Sequence, residues 1–426
     1  MAQVSVLDIA TMWQATWQAM LDAVGPMFYL VPPSKLALNR DDPVPDFVAN
    51  AIPMFIVMMV LEFFMKDLFS PRGSLRKPKY HLNDTVASLA CGIVMMLWDV
   101  FAQISVIKLA EPLYTMVYDR FRIIDYDARE HPYLTFFALM LSVDFGYYCL
   151  HRCNHEWHFF WSGHRVHHSG EVYNLATALR QSILQTITSP FWYLPLALVF
   201  SPSAFRAHKG LNTLYQFWVH TELVGWLGPL EYVFSTPSAH RMHHRPPGDC
   251  NYGGVFIVWD RMFGSYVCEN VTGYKDYFGL AGPTQTFNAV ELNVEHWRRM
   301  QLIPGSWWKR VTTKRRTTDW TWRPLSLFEP LPPPKVKQHG EVRTKYRGAQ
   351  LGFGGQVFSC AVLVAGLLRL LHMILTKTLS DANLAVGVAS VGFALAMVGR
   401  FMDTGSMVAG GLAGLASGLA LICSAV

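Results

Sequence analysis

Nine of the sixteen histidines are spaced in a way that serves one chemistry, metal binding. Three clusters carry eight of them: HRCNH (His151, His155), HRVHH (His164, His167, His168) and HRMHH (His240, His243, His244). The ninth, His220, stands between them in FWVHTEL. Side chains three and four residues apart share one face of a helix, so the imidazoles within each cluster are expected to converge. Imidazole is a good ligand for iron, zinc, copper and nickel. A structural zinc takes four ligands, so nine are too many for one such site. They suit two ions, each with four or five nitrogens and an open position. Zinc and copper stay open on ligand type alone. A pair of irons best explains why so many neutral donors gather, as support for oxygen activation at a dinuclear centre. Neutral rings leave the ionic charge uncompensated, which predicts acidic groups nearby. Asp144 lies two helical turns before His151 on the same face, and Glu156 directly follows His155. Each is expected to orient a ligand ring. The competing readings are a carboxylate buried in helix packing for Asp144 and a solvated one for Glu156.

The elements that must position these residues are membrane helices. The chain has 426 residues, 51% of them hydrophobic and 15% charged, with a mean hydropathy of +0.20. A soluble domain carries about a quarter charged residues, so the length does not read as a string of soluble domains. Disorder is excluded over most of the chain, because too much of it is apolar. Seven cysteines, an odd and sparse set, exclude a disulfide scaffold. Runs near the roughly 20 apolar residues a membrane span needs occur at 51–68, 85–110 and 132–151. The run at 183–200 is broken by Pro190 and Pro195, which predicts a kinked or re-entrant segment with 211–220 as its return arm. No long apolar run occurs over 221–350. The tail returns to the membrane at 357–375, 384–398 and 408–426.

The expected fold is therefore all-α: a polytopic integral membrane protein with a cytosolic, His-rich, di-metal helical cap. It divides into an N-terminal segment (1–50), a membrane-embedded catalytic domain (51–350) and C-terminal transmembrane helices (351–426). The basic loop Arg72, Arg76, Lys77 and Lys79 belongs in the cytosol by the positive-inside rule. The second span then leaves and the third returns, so His151 is expected on the cytosolic side. Between positions 297 and 347 there are thirteen Lys or Arg and three acids, Asp319, Glu329 and Glu341. Beside membrane helices this stretch reads as facing an anionic leaflet, not nucleic acid. No signal peptide is expected at the N-terminus.

The histidine clusters resemble those of the fatty acid hydroxylase superfamily of integral membrane di-metal oxygenases, which includes sterol desaturases. The resemblance narrows to the ether-lipid monooxygenases of that superfamily in DFGYYCLHRCNHEWHFFWSGHRVHHSGEVYNLATALRQSILQ, LYQFWVHTELVGWLGPLEYVFSTPSAHRMHH and NYGGVFIVWDRMFGSY. It covers roughly 44–288 and is densest over 144–266. YNLATALRQS and FWVHTE point to the ether-lipid branch. The resemblance implies metal ligation by His151, His155, His164, His167, His168, His240, His243 and His244, with His220 at the place of a further ligand. Val224 stands where some relatives have a second His, which implies a water or an open site at that ion. RPPGDCNYGG is shorter than the loop of the animal members and is expected to border the substrate entrance.

The resemblance also implies the reaction. A 1-O-alkylglycerol or lyso-ether phospholipid is hydroxylated by O2 on the carbon next to the ether oxygen. The hemiacetal collapses to a fatty aldehyde and a free glycerol hydroxyl. Tetrahydrobiopterin supplies the electrons. Asn174, Arg180 and Gln181, in the branch-specific stretch, are the candidates for pterin or headgroup contact. A charged Arg180 beside a membrane helix is costly unless paired, so an ion pair is its competing reading. The implied location is the endoplasmic reticulum membrane with the active site facing the cytosol. Two other functions fit the clusters: sterol or fatty-acid hydroxylation or desaturation with cytochrome b5 electrons, and metal transport or sensing.

Overall fold

In a computed structural model, the chain is described from residue 11 to residue 406. Scattered positions before 25 and segments 67–79, 105–109, 186–188, 247, 270–276, 281–285, 302–305, 307–308, 310–347 and 377–380 are not described. The basic loop at 72–79, most of the basic stretch to 347 and the apolar run at 408–426 lie outside the described residues. Helices dominate: α1 (Phe47–Met65), α2 (Leu82–Ile104), α3 (Ala110–Phe121), α4 (Pro132–Glu156), α5 (His158–His164), α6 (Pro202–Trp218), α7 (Pro237–His244), α8 (Ala289–Gln301), α9 (Phe353–Thr376) and α10 (Asp381–Thr404). The described residues contain no strand, only isolated bridging such as Phe234 with Phe256. The all-α reading holds.

Among the described residues, three helices are long and apolar enough to cross a membrane: α1, α4 and the Leu384–Thr404 part of α10. They answer the runs read at 51–68, 132–151 and 384–398. On α1, Val57 and Leu61 remain exposed away from the cavity, as lipid-facing side chains do. α4 has 25 residues, about 37 Å at 1.5 Å per residue. That exceeds the ~30 Å of a bilayer's hydrocarbon core, so the last turn of α4, with His155, runs beyond the length a span needs.

The run at 183–200 is the irregular segment its prolines foretell. It contains two short 3-10 turns, Pro190–Trp192 and Leu194–Leu198, and Ser201 then caps α6 by accepting from the Ala204 N–H. The return arm is longer than 211–220: α6 begins at Pro202. Pro237 and the Thr236 cap likewise start α7, the helix that carries the last histidine cluster.

The C-terminal helices join the main body. α9 and α10 pack against each other and against α2, with Val86, Ala90, Val362, Val391 and Leu395 in one buried cluster. Gly399 permits the closest approach, since an added Cβ would lie 2.3 Å from the Cα of Asn288.

Candidate metal centre

The nine histidines come together as two groups of ring nitrogens. His151, His155, His164, His168 and His243 form one, and His167, His220, His240 and His244 form the other; within each, the ligand atoms lie within 4.8 Å of one another. All nine side chains are buried. In the first group the Nε2 atoms of His151 and His168 lie 2.9 and 3.0 Å from His164 Nε2. In the second, His220 Nε2 is 3.1 Å from those of His167 and His240, and His244 Nε2 is 3.2 Å from His240 Nε2. Nitrogens about 2.1 Å from one ion, at right angles, lie about 3.0 Å apart. The spacing is that of donors around an ion. His243 Nε2, buried and without a hydrogen-bond partner, adds to the fit.

The clusters do not converge as whole units. Each i, i+4 pair stays together: His151 with His155, His164 with His168, His240 with His244. The remaining member crosses over, His167 to the second group and His243 to the first. The two groups therefore share two sequence clusters and touch, with the rings of His168 and His244 stacked at 4.4 Å.

Backbone carbonyls fix three of the rings. The Nδ1–H of His151 donates to Tyr252 O (2.8 Å), that of His243 to Cys250 O (2.7 Å) and that of His220 to Gln216 O (2.7 Å). Each bond selects the tautomer that leaves Nε2 free to ligate. Burial, reinforced by neighbouring rings, holds the pKa values of His164, His168, His240, His243 and His244 well below the ordinary imidazole value. The same burial brings His220 down to about 3. The rings are neutral at physiological pH, the form that binds metal.

The carbonyls are held in turn. Asp260 accepts from the Tyr252 and Gly253 N–H groups, each at 2.7 Å. Asp144 accepts from Val255 N (2.7 Å), Phe256 N (3.0 Å), Trp259 Nε1 (2.9 Å) and Asn212 Nδ2 (2.8 Å). Asp144 thus acts one step removed from where the helix spacing put it: it anchors the loop that orients His151. Glu156 is buried, not solvated, and pairs with Arg152 at 2.9 Å. The loop RPPGDCNYGG also has a different place. None of its described residues lines the large cavity; instead Cys250 and Tyr252 back the ligand rings, and Asp249 Oδ1 lies 3.5 Å from His155 Nδ1.

Of the three residues in the branch-specific stretch, Gln181 lines the cavity. Asn174 caps the turn Leu175–Leu179 through Ala176 N. Arg180 is buried against Asp84 Oδ1 (3.2 Å), Ser169 Oγ (2.8 Å) and Ser88 Oγ (3.2 Å), the ion pair that its cost in an apolar setting demands. Glu62 carries no chemical signature in the sequence beyond its place in an apolar run. Buried on α1, it accepts from Leu175 N (2.8 Å), from Thr221 Oγ1 (2.5 Å) and from the Tyr80 hydroxyl, tying α1 to the residue after His220.

A cavity of about 2020 Å³ adjoins the histidines. His164, His167, His220 and His240 form part of its wall, and the rest is mostly apolar, with Phe55 and Met59 of α1, Ile93 and Met96 of α2, and Leu363 and Leu367 of α9. α4 contributes only Tyr147 and Leu150 among the described lining residues. Most of the aromatic and methionine side chains of the wall come from α1 and α2, with α4 largely behind it. Drug-sized sites occupy about 300–1,000 Å³; this one has room for a lipid chain.

Residues 136–265 match the fatty acid hydroxylase family. The chain is also similar to proteins named alkylglycerol monooxygenase. The human protein is 39% identical over 286 residues, 66% of this chain and 61% of the relative. The Danio rerio protein is 41% identical with the same coverage, and the Caenorhabditis elegans protein is 37% identical over 62% of this chain and 51% of its own length. The chain thus spans about three-fifths of the vertebrate relatives it matches. No solved structure matches it.

Proposed function

We propose that this chain is a membrane monooxygenase of alkylglycerols or lyso-ether phospholipids. The observation that carries the reading is the junction of two histidine groups with a large apolar cavity. An alkyl chain fits the cavity, and the histidines face the end at which its polar head would stop. The named relatives act on the same class of substrate. In this reading His151, His155, His164, His168 and His243 hold one iron, and His167, His220, His240 and His244 hold a second. Iron there supplies O2 activation for oxygen insertion into the C–H bond beside the ether oxygen. The chain's own residues bind and orient that carbon and keep bulk water from it. The product is a hemiacetal, which opens to a fatty aldehyde and a free glycerol hydroxyl.

Tetrahydrobiopterin is the proposed electron donor, on the strength of YNLATALRQS and FWVHTE. Gln181, at the cavity wall, is the branch-specific residue best placed to meet it. The proposed catalytic unit is 51–350, with Gln356, Leu363, Val364 and Leu367 of α9 on one side of the cavity. The membrane is proposed to be that of the endoplasmic reticulum, with the histidines toward the cytosol. Transport is disfavoured because the groups sit at the ends of α4 and α6 and on α7, not on facing helices at mid-membrane.

The test is product analysis. Purified, iron-loaded protein given O2, tetrahydrobiopterin and 1-O-hexadecylglycerol is expected to release hexadecanal, and the His167→Ala variant none. Release of no aldehyde, or of a hydroxylated chain with the ether intact, contradicts the proposal.

A further inference from the structure

Tyr147 and Gln216 line the cavity beside the histidines, and neither belongs to the two nitrogen groups. Tyr147 sits one turn before His151 on α4, with its ring centroid 5.2 Å from that of His151. Gln216 sits one turn before His220 on α6. The two meet over Gly254: a Cβ added there would lie 2.8 Å from Tyr147 Cδ1 and 3.2 Å from Gln216 Nε2.

A chain of bonds fixes which way the Gln216 amide points. Asp144 already faces two backbone N–H groups and the Trp259 indole, so it is an acceptor throughout. Asn212 must therefore present its Nδ2 to Asp144, at 2.8 Å. That turns Asn212 Oδ1 toward Gln216, whose Nε2 donates to it at 2.7 Å and to the Asn212 carbonyl at 3.1 Å. Both amide hydrogens are then used, and Oε1 is the free end of the side chain. Neither Gln216 Oε1 nor the Tyr147 hydroxyl has a hydrogen-bond partner among the described residues, and both side chains line the cavity.

The geometry points to a hydroxyl-recognition subsite: Tyr147 donates to, and Gln216 Oε1 accepts from, one alcohol group of the lipid in the cavity. An alcohol is donor and acceptor at once, so it satisfies both partners. An ether or ester oxygen accepts only, and leaves Gln216 unpaired. The inference rests on the proposed reading of the cavity as an alkylglycerol site and deepens it. It makes the free hydroxyl next to the ether-bearing carbon the feature that separates substrate from fully acylated bilayer lipid. Sites built around a hydroxyl reject analogues that lack it, because the buried partners lose their bonds.

Equilibrium binding to the full-length, metal-loaded protein in phosphatidylcholine nanodiscs tests this. The probes are 1-O-hexadecylglycerol and its 2,3-di-O-methyl ether. The wild type is expected to bind the diol at least about tenfold more tightly. Tyr147→Phe, which removes one oxygen, and Gln216→Met, which keeps the side chain's length, are each expected to erase most of that preference. Binding of the dimethyl ether should change little, and Tyr147→Phe should leave bound metal unchanged. Equal wild-type binding of the two probes, or a preference that survives both substitutions, overturns the subsite. The ratio is read without turnover. Absence of aldehyde from the diol therefore contradicts the proposed activity and not this inference.

Discussion

The two histidine groups differ in what surrounds them. The five-histidine group is enclosed: the Tyr252 and Cys250 carbonyls lie behind it, Trp161 stands 5.1 Å from the His155 ring, and His164 alone of its described members reaches the cavity wall. The four-histidine group is open, with His167, His220 and His240 all on the cavity wall. Val224 gives its carbonyl to Arg241 at 2.6 Å. The contrast teaches a division of labour. In the proposed reading the enclosed group holds its ion away from the cavity, and the open group holds its ion at the cavity wall.

The largest effects should come from breaking each group separately. His155→Ala removes a donor from the enclosed group and His244→Ala one from the open group. Both are expected to abolish aldehyde formation, because an ion held by too few donors is lost with its chemistry. Residual single-turnover oxidation in either variant would show that one group suffices.

Asp144→Asn should strike both groups. Asp144 anchors the loop behind His151, and through Asn212 and Gln216 it also supports the helix turn behind His220. Replacing one carboxylate oxygen with an N–H donor sets it against groups that only donate. The expected cost is about 3 kcal/mol in unfolding free energy and about 10- to 100-fold in metal affinity. Chemical denaturation and competitive chelation measure the two. A loss confined to one group would refute the shared anchor.

Glu62→Gln should be milder and one-sided. Its bonds reach Thr221, next to His220, so about a tenfold loss of metal affinity is expected at the open group alone. Chelator titration of the wild type and variant separates the sites. Smallest is Leu363→Trp, which narrows the cavity from α9 and leaves both groups intact. Competition between alkyl chains of different length should shift several-fold toward the shorter, with total turnover nearly kept.

Much of this was legible in the sequence, for physical reasons. Long apolar runs mark helices wherever they occur, so α1, α4 and α10 fell close to 51–68, 132–151 and 384–398. Pro190 and Pro195 marked an irregular return because proline cannot continue a helix. The nine histidines stood out by type and spacing. Their division did not, because periodicity says which rings share a face and not that His167 and His243 cross to the other group. The supports of the rings were also hidden. Cys250, Tyr252 and Gln216 act through backbone carbonyls, which carry no residue signature. Asp144 was found by helical spacing, but its partners lie more than 60 residues away in the chain. The part of α9 in the cavity wall had no sequence signal beyond being apolar.

The central claim is that two distinct metal sites, one enclosed and one open, stand side by side at the cavity. Iron counted per chain by mass spectrometry tests it most directly. The account predicts two irons in the wild type, one in His155→Ala and one in His244→Ala, with the remaining iron of His244→Ala the slower to yield to chelator. A single iron in the wild type, or loss of all iron from either variant, would contradict it.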